Sequence, residues 1–363
     1  NFPMERSFFH GNNKTDEDIA FAMDAGVGYF IVDSLFELDA IQAEAEKRGI
    51  VQNVLLRLTP GIDPHTYEAI ATGKVDSKFG SAIETGQAEE ITVFTLAQPH
   101  VELMGFHCHV GSQVFNEDGT VYIDAATIML TFANDMYKEY GVEPAVLNMG
   151  GGFGVRYTEA DPYMNIPENI EKLAAHIKAT VAELKMPMPK ILMEPGRSIV
   201  ADAGMTLYSV GTIKEITGYK NYVSIDGGMT DNPRFALYGS KYTVLLANRM
   251  DEESDFTCDV VGRCCESGDL IAENTKLLLE MRGSYDGVSV YAAAEGLIRN
   301  INRNEAQMNG EFNRGESRII ASKDLLDGEL GLNSHLFVGL DDDPERVGMT
   351  IFSPQLREAS FLV

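Results

Sequence analysis

The sequence predicts an α/β fold with parallel strands, followed by a second domain built mainly of β-strands. Up to about residue 200, short β-branched or aromatic runs alternate with longer segments of helical period, which is typical of βα units. Beyond that point the helical spacing fades and glycines separate strand-like runs. We therefore expect a first domain over residues 1–200 and a second over residues 201–363.

The first domain is expected to contain six strands and at least four helices. A strand at 7–10 precedes a helix at 15–25, which Thr15 opens and Gly26 ends, and a strand at 29–33 precedes a helix at 35–48, which Gly49 ends. Further strands are expected at 54–59 and 103–110. A helix at 124–140 ends before Gly141, and a strand at 145–150, a helix at 166–184 and a strand at 190–195 complete the series.

Most of these strands end in a polar or glycine-rich cluster. In a (β/α)8 TIM-like barrel the carboxyl ends of the strands form the catalytic face, and eight strands close the barrel. Six strands therefore predict a barrel from which two N-terminal βα units are missing. The start at Asn1, with neither an initiator Met nor a signal peptide, is accordingly expected to be a cut within a longer protein.

The second domain is expected to begin with strands at 205–216, 222–226 and 257–261. Residues 283–363 have weak periodicity and form an atypical tail in which no strand is assigned. The boundary between the two domains is placed near residue 201, where helical spacing gives way to strand-like runs.

Composition excludes several classes of partner. The formal net charge of −26, from 29 basic and 55 acidic residues, argues against nucleic acid and anionic membranes. No apolar run approaches the 18 residues of a membrane span, and four cysteines do not form a disulfide framework. A cytoplasmic protein is expected.

Two motifs follow predicted strands and suit an anionic or aromatic ligand. The backbone of Gly150-Gly151-Gly152 can turn several N–H groups toward a phosphate, or it can simply form a tight turn. His107 and His109 should point to the same side of a strand. They could bind a metal, or place one imidazole on an aromatic cofactor whose phosphate Ser112 holds, or be hydrogen-bonded interior histidines.

Three more motifs carry charge or a thiol. Glu194 and Arg197 form either a plain ion pair or a site in which Glu194 holds a proton on a heterocyclic nitrogen and Arg197 binds a carboxylate. Cys264 and Cys265 are either buried small hydrophobes or include a proton donor beside Glu266. The loop 226–239, taken alone, predicts a surface turn.

The order and spacing of these motifs resemble the diaminopimelate decarboxylases, pyridoxal-phosphate enzymes with an alanine-racemase-like barrel and a C-terminal β domain. The resemblance covers about three quarters of the chain. It is carried by Phe2 to Arg6, His10 to Lys14, Val32 to Ser34, Lys78 to Gly80, His107 to Gln113, Gly150 to Gly152, Glu194 to Ser198, Asp226 to Tyr238 and Cys265 to Asp269.

The resemblance implies a cofactor, pyridoxal 5'-phosphate, and a reaction, decarboxylation of meso-2,6-diaminopimelate to L-lysine and CO2 in lysine biosynthesis. It implies that His109 stacks on the pyridine ring and that Ser112 and the Gly150 to Gly152 loop hold the phosphate. Glu194 would pair with the ring nitrogen, and Gly196 and Arg197 would complete the cofactor site.

The resemblance also implies how substrate is bound. Arg197, Arg234 and Tyr238 would bind its distal end, Cys265 would protonate the carbon that has lost CO2, and Glu266 would contact the distal ammonium. In this family Cys265 and Glu266 reach across from the partner subunit, so a homodimer with shared active sites is implied.

Two departures from the family keep alternatives open. The family's Schiff-base lysine belongs to a Tyr-Ala-x-Lys-Ala-Asn strand upstream of Phe2, which this sequence does not include. The run Ala293-Ala294-Glu295-Gly296 stands where the family has Gly-Ala-Tyr. A non-catalytic homologue acting as a binding or regulatory partner therefore remains an alternative. A sibling decarboxylase of ornithine, arginine or carboxynorspermidine is another, although Arg197 and Arg234 suit a substrate with a second carboxylate.

Overall fold

The structure is a computed structural model that describes residues 2–62, 75–115, 119–247 and 256–277, and the strands at 289–293, 316–320, 335–341 and 350–352. Contacts divide the chain into two compact units. The first comprises Asn1–Val155 and Pro162–Ile199, and the second comprises Arg156–Asp161 and Val200–Val363. A short segment that precedes the last long helix of the first unit therefore belongs to the second.

A parallel sheet forms the centre of the first unit. Its strands are β1 (Phe8–Phe9), β2 (Tyr29–Val32), β3 (Gln52–Thr59), β4 (Ser81–Ala82), β5 (Val101–His107), β6 (Val146–Asn148) and β7 (Lys190–Leu192). They pair in the order β1-β2-β3-β5-β6-β7, with β4 beside β3, and every pairing is parallel. Because all the strands run the same way, their carboxyl ends meet along one edge.

Helices connect these strands, and several begin at a side-chain cap. They are α1 (Asp16–Asp24), α2 (Leu35–Arg48), α3 (Gln87–Leu96), α4 (Thr120–Tyr140), α5 (Ile166–Leu184) and the short α6 (Arg197–Val200). Thr15 and Asp18 form a capping box at the start of α1, and Ser34 accepts a hydrogen bond from the Glu37 amide at the start of α2. Helix α2 ends at Gly49, whose φ of 63° is the left-handed conformation that glycine adopts without strain.

Both faces of the sheet are buried, as parallel sheets require. On one face, Phe30 and Leu56 belong to the main core, which the helices cover. On the other face, Ile31 and Leu55 pack with Val146 in a smaller cluster. This arrangement confirms the predicted α/β barrel-type fold with its six main strands, to which the structure adds β4 and α3. The sheet described here has β1 and β7 as edge strands.

The second unit contains β8 (Met205–Ile216), β9 (Lys220–Ile225), α7 (Arg234–Tyr238), β10 (Thr243–Leu246), β11 (Phe256–Val261), β12 (Leu270–Leu277) and β13 (Ser289–Ala293). Its sheet has the order β10-β13-β8-β9-β11-β12 and is antiparallel except for the β9–β11 pair. The C-terminal β domain predicted from the sequence is therefore present.

Of residues 283–363, the structure describes the backbone of β13 and of a second, antiparallel sheet. That sheet consists of β14 (Glu316–Ile320), β15 (His335–Asp341) and β16 (Thr350–Phe352). Glu295, which the sequence places at the family's tyrosine position, lies outside the described residues. Within the part of the chain that the structure describes, no helix combines the length and apolar character needed to cross a membrane.

Candidate active site

Polar side chains from three strand ends of the first unit converge on the carboxylate of Glu194, which lies at the end of a fourth strand. His10 follows β1, His107 ends β5, Asn148 ends β6, and Glu194 follows β7. Nε2 of His10 and Nδ2 of Asn148 each lie 2.8 Å from Oε1 of Glu194, and Nε2 of His107 lies 3.2 Å from Oε2. The parallel register of the sheet thus brings residues distant in sequence to one acidic group.

The hydrogen bonds leave the Glu194 carboxylate with limited accepting capacity. An ionised carboxylate offers about four lone-pair sites. Among the described residues His10 and Asn148 donate to Oε1, and His107 donates to Oε2. About one acceptor site, on Oε2, therefore remains for a further N–H or O–H donor.

The side chain of Asn148 fixes which end of its amide faces Glu194. Its Oδ1 accepts a hydrogen bond of 2.9 Å from the Gly150 amide, so its Nδ2 is the group that donates to Glu194. Asn148 is 1% exposed. A rotation of the amide would break both bonds inside a buried site, which makes Asn148 a donor that cannot easily change its role.

His107 is also held as a neutral donor. Burial lowers the pKa of His107 to about 4, so its imidazole is neutral near pH 7. Nδ1 of His107 has no hydrogen-bond partner among the described residues, whereas Nε2 faces an oxygen that only accepts. The proton of the neutral ring therefore lies on Nε2.

Glu194 itself remains ionised. Its partial burial raises the pKa, but hydrogen bonds from His10 and His107 outweigh that effect and hold the pKa of Glu194 well below its usual range. The result is a fixed negative charge at the carboxyl edge of the sheet. Such a charge favours a ligand that presents a protonated nitrogen to Oε2.

The glycine triplet lies against the backbone of Glu194 because three loops pack there backbone to backbone. A Cβ on Gly151 would lie 2.0 Å from the carbonyl oxygen of Glu194, and one on Gly152 would lie 1.8 Å from the carbonyl oxygen of Gly111. The Gly151 amide donates to Nδ1 of His109 at 3.2 Å, while the Gly150 amide is bound to Asn148. Two of the three amides expected to face a phosphate are thus engaged within the loops.

The remaining predicted cofactor residues of the first unit surround the same loops. His109 is partly buried, burial lowers its pKa to about 4, and its Nδ1 accepts from Gly151. A guanidinium N–H of Arg197 donates to Oγ of Ser112 at 3.2 Å, which places a positive charge beside that hydroxyl. Gly196 is exposed, and a Cβ there would meet no atom within 4 Å.

A buried ion pair fixes the loop that carries His10. Nζ of Lys14 lies 2.5 Å from Oε1 of Glu37 and also donates to the carbonyl oxygens of Gly11 and Ile31. The side chains of Lys14 and Glu37 are 1% and 4% exposed. The backbone next to His10 is therefore tied to the second strand, and His10 approaches Glu194 from a rigid support.

The other predicted site residues lie in the second unit. Arg234 begins α7, donates to Oγ of Ser240 at 3.3 Å, and has its guanidinium carbon 5.6 Å from the ring centre of Tyr157 and 5.8 Å from that of Tyr238. These two aromatic rings attract the Arg234 guanidinium and limit the positions that it can take. Arg234 and Tyr238 are thus brought together, with Tyr157 as a neighbour that the sequence did not indicate.

Cys265 and Glu266 lie in the turn between β11 and β12. Both are exposed, and Oε1 of Glu266 accepts a hydrogen bond of 3.2 Å from the Gly268 amide of the same turn. All four cysteines are free thiols, and Cys108 and Cys258 are buried. Cys265 is therefore the most accessible thiol of the chain.

Two of the three donors to Glu194 are residues to which the sequence gave no role at that carboxylate. His10 belongs to a strand-end cluster and to the His10 to Lys14 motif of the resemblance, neither of which gave it a role, and Asn148 lies in a predicted strand. The one available signal was position, because each lies at the end of a predicted strand.

Comparison with known proteins shows the family of this chain. Residues 1–201 match the family described as pyridoxal-dependent decarboxylase, pyridoxal binding domain. The diaminopimelate decarboxylase of Bacillus methanolicus is 39% identical over 89% of this chain and 74% of its own length. The enzyme of Bacillus subtilis strain 168 is 43% identical over 74% of this chain and 61% of its own length. This chain belongs to the diaminopimelate decarboxylase family.

A solved structure supports the same family. Diaminopimelate decarboxylase from M. jannaschii in complex with L-lysine has a TM-score of 0.69 and 31% identity, over 88% of this chain and 69% of that one. The family resemblance inferred from the sequence is therefore confirmed. The family's members are pyridoxal-dependent carboxy-lyases, and pyridoxal phosphate is the cofactor of this decarboxylase.

The residues at Glu194 fit that cofactor. Pyridoxal phosphate presents a pyridine nitrogen, and the remaining acceptor site on Oε2 of an ionised Glu194 suits the protonated form of that nitrogen. Ligand atoms of His10, His107 and Glu194 also lie within 4.8 Å of one another, a spacing that a metal ion could use. In this structure those atoms are hydrogen-bonded to one another instead.

Proposed function

We propose that this chain decarboxylates meso-2,6-diaminopimelate to L-lysine and CO2, with Glu194 as the residue that holds the cofactor's pyridine nitrogen in its protonated form. The observation that carries the proposal is the ionised carboxylate of Glu194, to which His10, Asn148 and His107 donate and which retains about one acceptor site.

The cofactor supplies an electron sink for the bond that loses CO2, and this sink is strongest when its nitrogen is protonated. The part of this chain is to keep a proton on that nitrogen. Glu194 accepts it as a charge-assisted hydrogen bond, and the three donors prevent the carboxylate from taking the proton for itself. His109, beside the glycine triplet, is proposed to stack on the pyridine ring.

Ser112, Arg197 and the Gly150 to Gly152 loop are proposed to hold the phosphate end. Arg197 brings positive charge to Oγ of Ser112, which supports an anion at this place. Because the Gly150 and Gly151 amides are already bonded to Asn148 and His109, the phosphate is proposed to lie mainly at Ser112, Gly152 and the loop around Gly196.

Substrate specificity is proposed to depend on two guanidiniums. Arg197 and Arg234 suit a substrate that has a second carboxylate, which meso-2,6-diaminopimelate has and ornithine lacks. Tyr238 lies beside Arg234 and is proposed to contact the same distal end. Cys265 is proposed to deliver the proton to the carbon that has lost CO2, and Glu266 to bind the distal ammonium.

The chain is also proposed to act as a homodimer in the cytoplasm. Cys265 and Glu266 are exposed in the turn between β11 and β12, where a partner subunit could use them. The four free thiols suit a reducing compartment.

The proposal is tested with purified protein that includes the Tyr-Ala-x-Lys-Ala-Asn strand expected upstream of Phe2, by supplying pyridoxal phosphate and measuring CO2 and L-lysine from meso-2,6-diaminopimelate. We expect equal amounts of the two products, and no CO2 from ornithine or arginine under the same conditions. Arg234→Lys keeps the positive charge but loses the planar guanidinium, so it should raise KM for diaminopimelate more than it lowers kcat. Turnover of ornithine at a rate equal to that of diaminopimelate would contradict the proposed substrate.

A further inference from the structure

A single buried carboxylate in the second unit connects the Cys264 to Gly268 turn with the loop that leads to Arg234. Asp269 is 3% exposed. Its Oδ1 accepts a hydrogen bond of 2.6 Å from the Met229 amide, and its Oδ2 accepts one of 2.8 Å from the Cys264 amide. The two oxygens of one side chain therefore bind two separate segments of backbone.

The backbone around Asp269 shows that the carboxylate has a fixed place. A Cβ on Gly228 would lie 2.5 Å from Oδ1, and a Cβ on Gly262 would lie 2.2 Å from Oδ2. These glycines make room for the carboxylate on both sides. The Arg263 amide also donates to the carbonyl oxygen of Gly227 at 3.2 Å, so the two segments touch directly as well.

Asp269 also closes the turn through its own backbone. Its amide donates to the carbonyl oxygen of Glu266 at 3.1 Å, and its carbonyl oxygen accepts from the Gly262 amide at 2.9 Å. Among the described residues, no basic side chain forms an ion pair with Asp269. The negative charge is thus satisfied by N–H groups, in hydrogen bonds that are stronger than those of a neutral amide acceptor.

Cys265 and Glu266, by contrast, are held by little else. Both are exposed, and the side-chain hydrogen bonds of Glu266 to described residues stay within the turn, at Ser267 and Gly268. The direction of the Cys265 side chain is therefore set by the backbone of the turn. That backbone is fixed at Cys264 by Asp269.

We propose that Asp269 is a positioning residue of the decarboxylase, which aims the Cys265 thiol and the Glu266 carboxylate by holding the backbone of their turn against the Gly228–Met229 segment. This inference rests on the proposed roles of Cys265 and Glu266. It assigns a function to the last residue of the Cys-Glu-Ser-Gly-Asp run without any contact between Asp269 and substrate or cofactor.

The direct test is Asp269→Asn, which keeps the size of the side chain but turns one acceptor oxygen into an N–H donor. The amide then faces a backbone N–H at either Met229 or Cys264, and one bond is lost. The matched control is Asp259→Asn. Asp259 is 2% exposed in the same unit and accepts from Lys220 and from the Asn274 amide, with no bond to the Cys264–Gly268 turn.

Two readouts separate positioning from general stability. The first is the rate at which iodoacetamide alkylates Cys265 in the folded protein, with the modified residue located by mass spectrometry because Cys264 is adjacent. The second is the division between kcat and KM for diaminopimelate. We expect Asp269→Asn to change the alkylation rate severalfold and to lower kcat about ten- to hundredfold, the range expected when a reacting group is misplaced. Asp259→Asn should change neither, even if both variants lose stability.

A second variant moves the carboxylate without removing it. Gly262→Ala places a methyl group where Oδ2 lies, so it should reproduce the effects of Asp269→Asn. Wild-type protein gives an independent check by hydrogen exchange. The amides of Met229 and Cys264 should exchange slowly although they lie in loops, and fast exchange at both would overturn the inference.

The inference is also overturned if Asp269→Asn matches Asp259→Asn in both alkylation rate and kcat. If the wild-type protein released no CO2 from diaminopimelate, the proposed function would fail while the alkylation and exchange measurements kept their meaning. Failure of the proposed role of Cys265 would look different again. In that case Cys265→Ala would leave kcat unchanged, while the alkylation and exchange measurements would still report whether Asp269 sets the turn.

Discussion

Replacement of Glu194 by glutamine tests the chemistry of the site most directly, because the structure dictates how the new amide must lie. The Asn148 amide is fixed as a donor by its bond to the Gly150 amide. In Glu194→Gln the new amide oxygen must therefore take the Oε1 position, toward Asn148 and His10. The new NH2 group is left at the Oε2 position, where it faces Nε2 of His107 and the place proposed for the pyridine nitrogen.

The magnitude follows from the bond that is lost. A hydrogen bond to a charged group contributes about 1.5–3 kcal/mol, so loss of the bond between Oε2 and a protonated nitrogen should weaken cofactor binding about ten- to hundredfold. The new NH2 group of the glutamine is also a donor. It therefore favours the unprotonated pyridine nitrogen, which can accept from it, over the protonated one, which can only donate. We therefore expect kcat to fall by more than the loss of affinity alone explains.

Calorimetric titration of the protein with pyridoxal phosphate measures the affinity. The chain contains no Trp, so ultraviolet absorption of the bound cofactor can be followed against a low protein background. Glu168→Gln serves as the control, since Glu168 is exposed on α5 and pairs only with its neighbours Lys172 and Asn165 among the described residues. A Glu194→Gln variant whose cofactor dissociation constant and kcat both stay within about twofold of wild type would refute the assignment of Glu194.

Three further outcomes are expected. Burial lowers the pKa of His107 from 6.5 to about 4, so between these pH values the unfolded chain binds a proton at His107 that the folded chain does not. The free energy of unfolding should therefore fall by about 3 kcal/mol as the pH drops from 6.5 to 4. The free energy of unfolding in urea, measured across this pH range, should change less with pH in His107→Gln than in wild type. An identical pH dependence would contradict the prediction. Lys14→Met leaves the buried charge of Glu37 without its partner and should lower the free energy of unfolding in urea by about 3–5 kcal/mol. The double variant with Glu37→Gln should recover part of this loss. If Lys14→Met alone is as stable as wild type, the ion pair is not needed for stability. Gly151→Ala must displace the Glu194 backbone and should cost about 1–3 kcal/mol and weaken cofactor binding, whereas Gly204→Ala, where a Cβ meets no atom within 4 Å, should do neither.

The helices that could be placed from sequence are those that begin at a side-chain cap. Helices α2 and α5 start after Ser34 and Asn165, and each of these side chains accepts a hydrogen bond from the backbone amide three residues later. Both helices have the predicted bounds. Helix α4 was expected from residue 124 but begins at Thr120, after Gly119, which provides no side-chain bond. Helix α3 also follows a glycine, Gly86, and contains the β-branched run Ile91-Thr92-Val93, so its sequence gave little sign of a helix.

The candidate site divides in a similar way. Motifs that are continuous in sequence, such as Gly150 to Gly152 and Glu194 to Arg197, could be recognised because their chemistry is local. The donors to Glu194 could not, since His10 lies 184 residues away in sequence and Asn148 lies 46 away. Only the pairing order of the parallel strands brings them together, and single-sequence patterns contain no such order. The roles of Arg234, Tyr238, Cys265 and Glu266 remain predictions.

The segment Arg156–Asp161 has a consequence for how the protein is made. It belongs to the second unit although the chain on both sides of it belongs to the first. Oγ1 of Thr243 donates to the Tyr157 carbonyl oxygen at 2.7 Å, and the Tyr157 ring meets that of Tyr242 edge-on at 5.5 Å. On the ribosome, this stretch leaves the exit tunnel 86 residues before the threonine that anchors it. A nascent chain stalled before residue 242 therefore carries Tyr157 without these partners, and a single cut at residue 199 leaves the second unit without its Arg156–Asp161 segment.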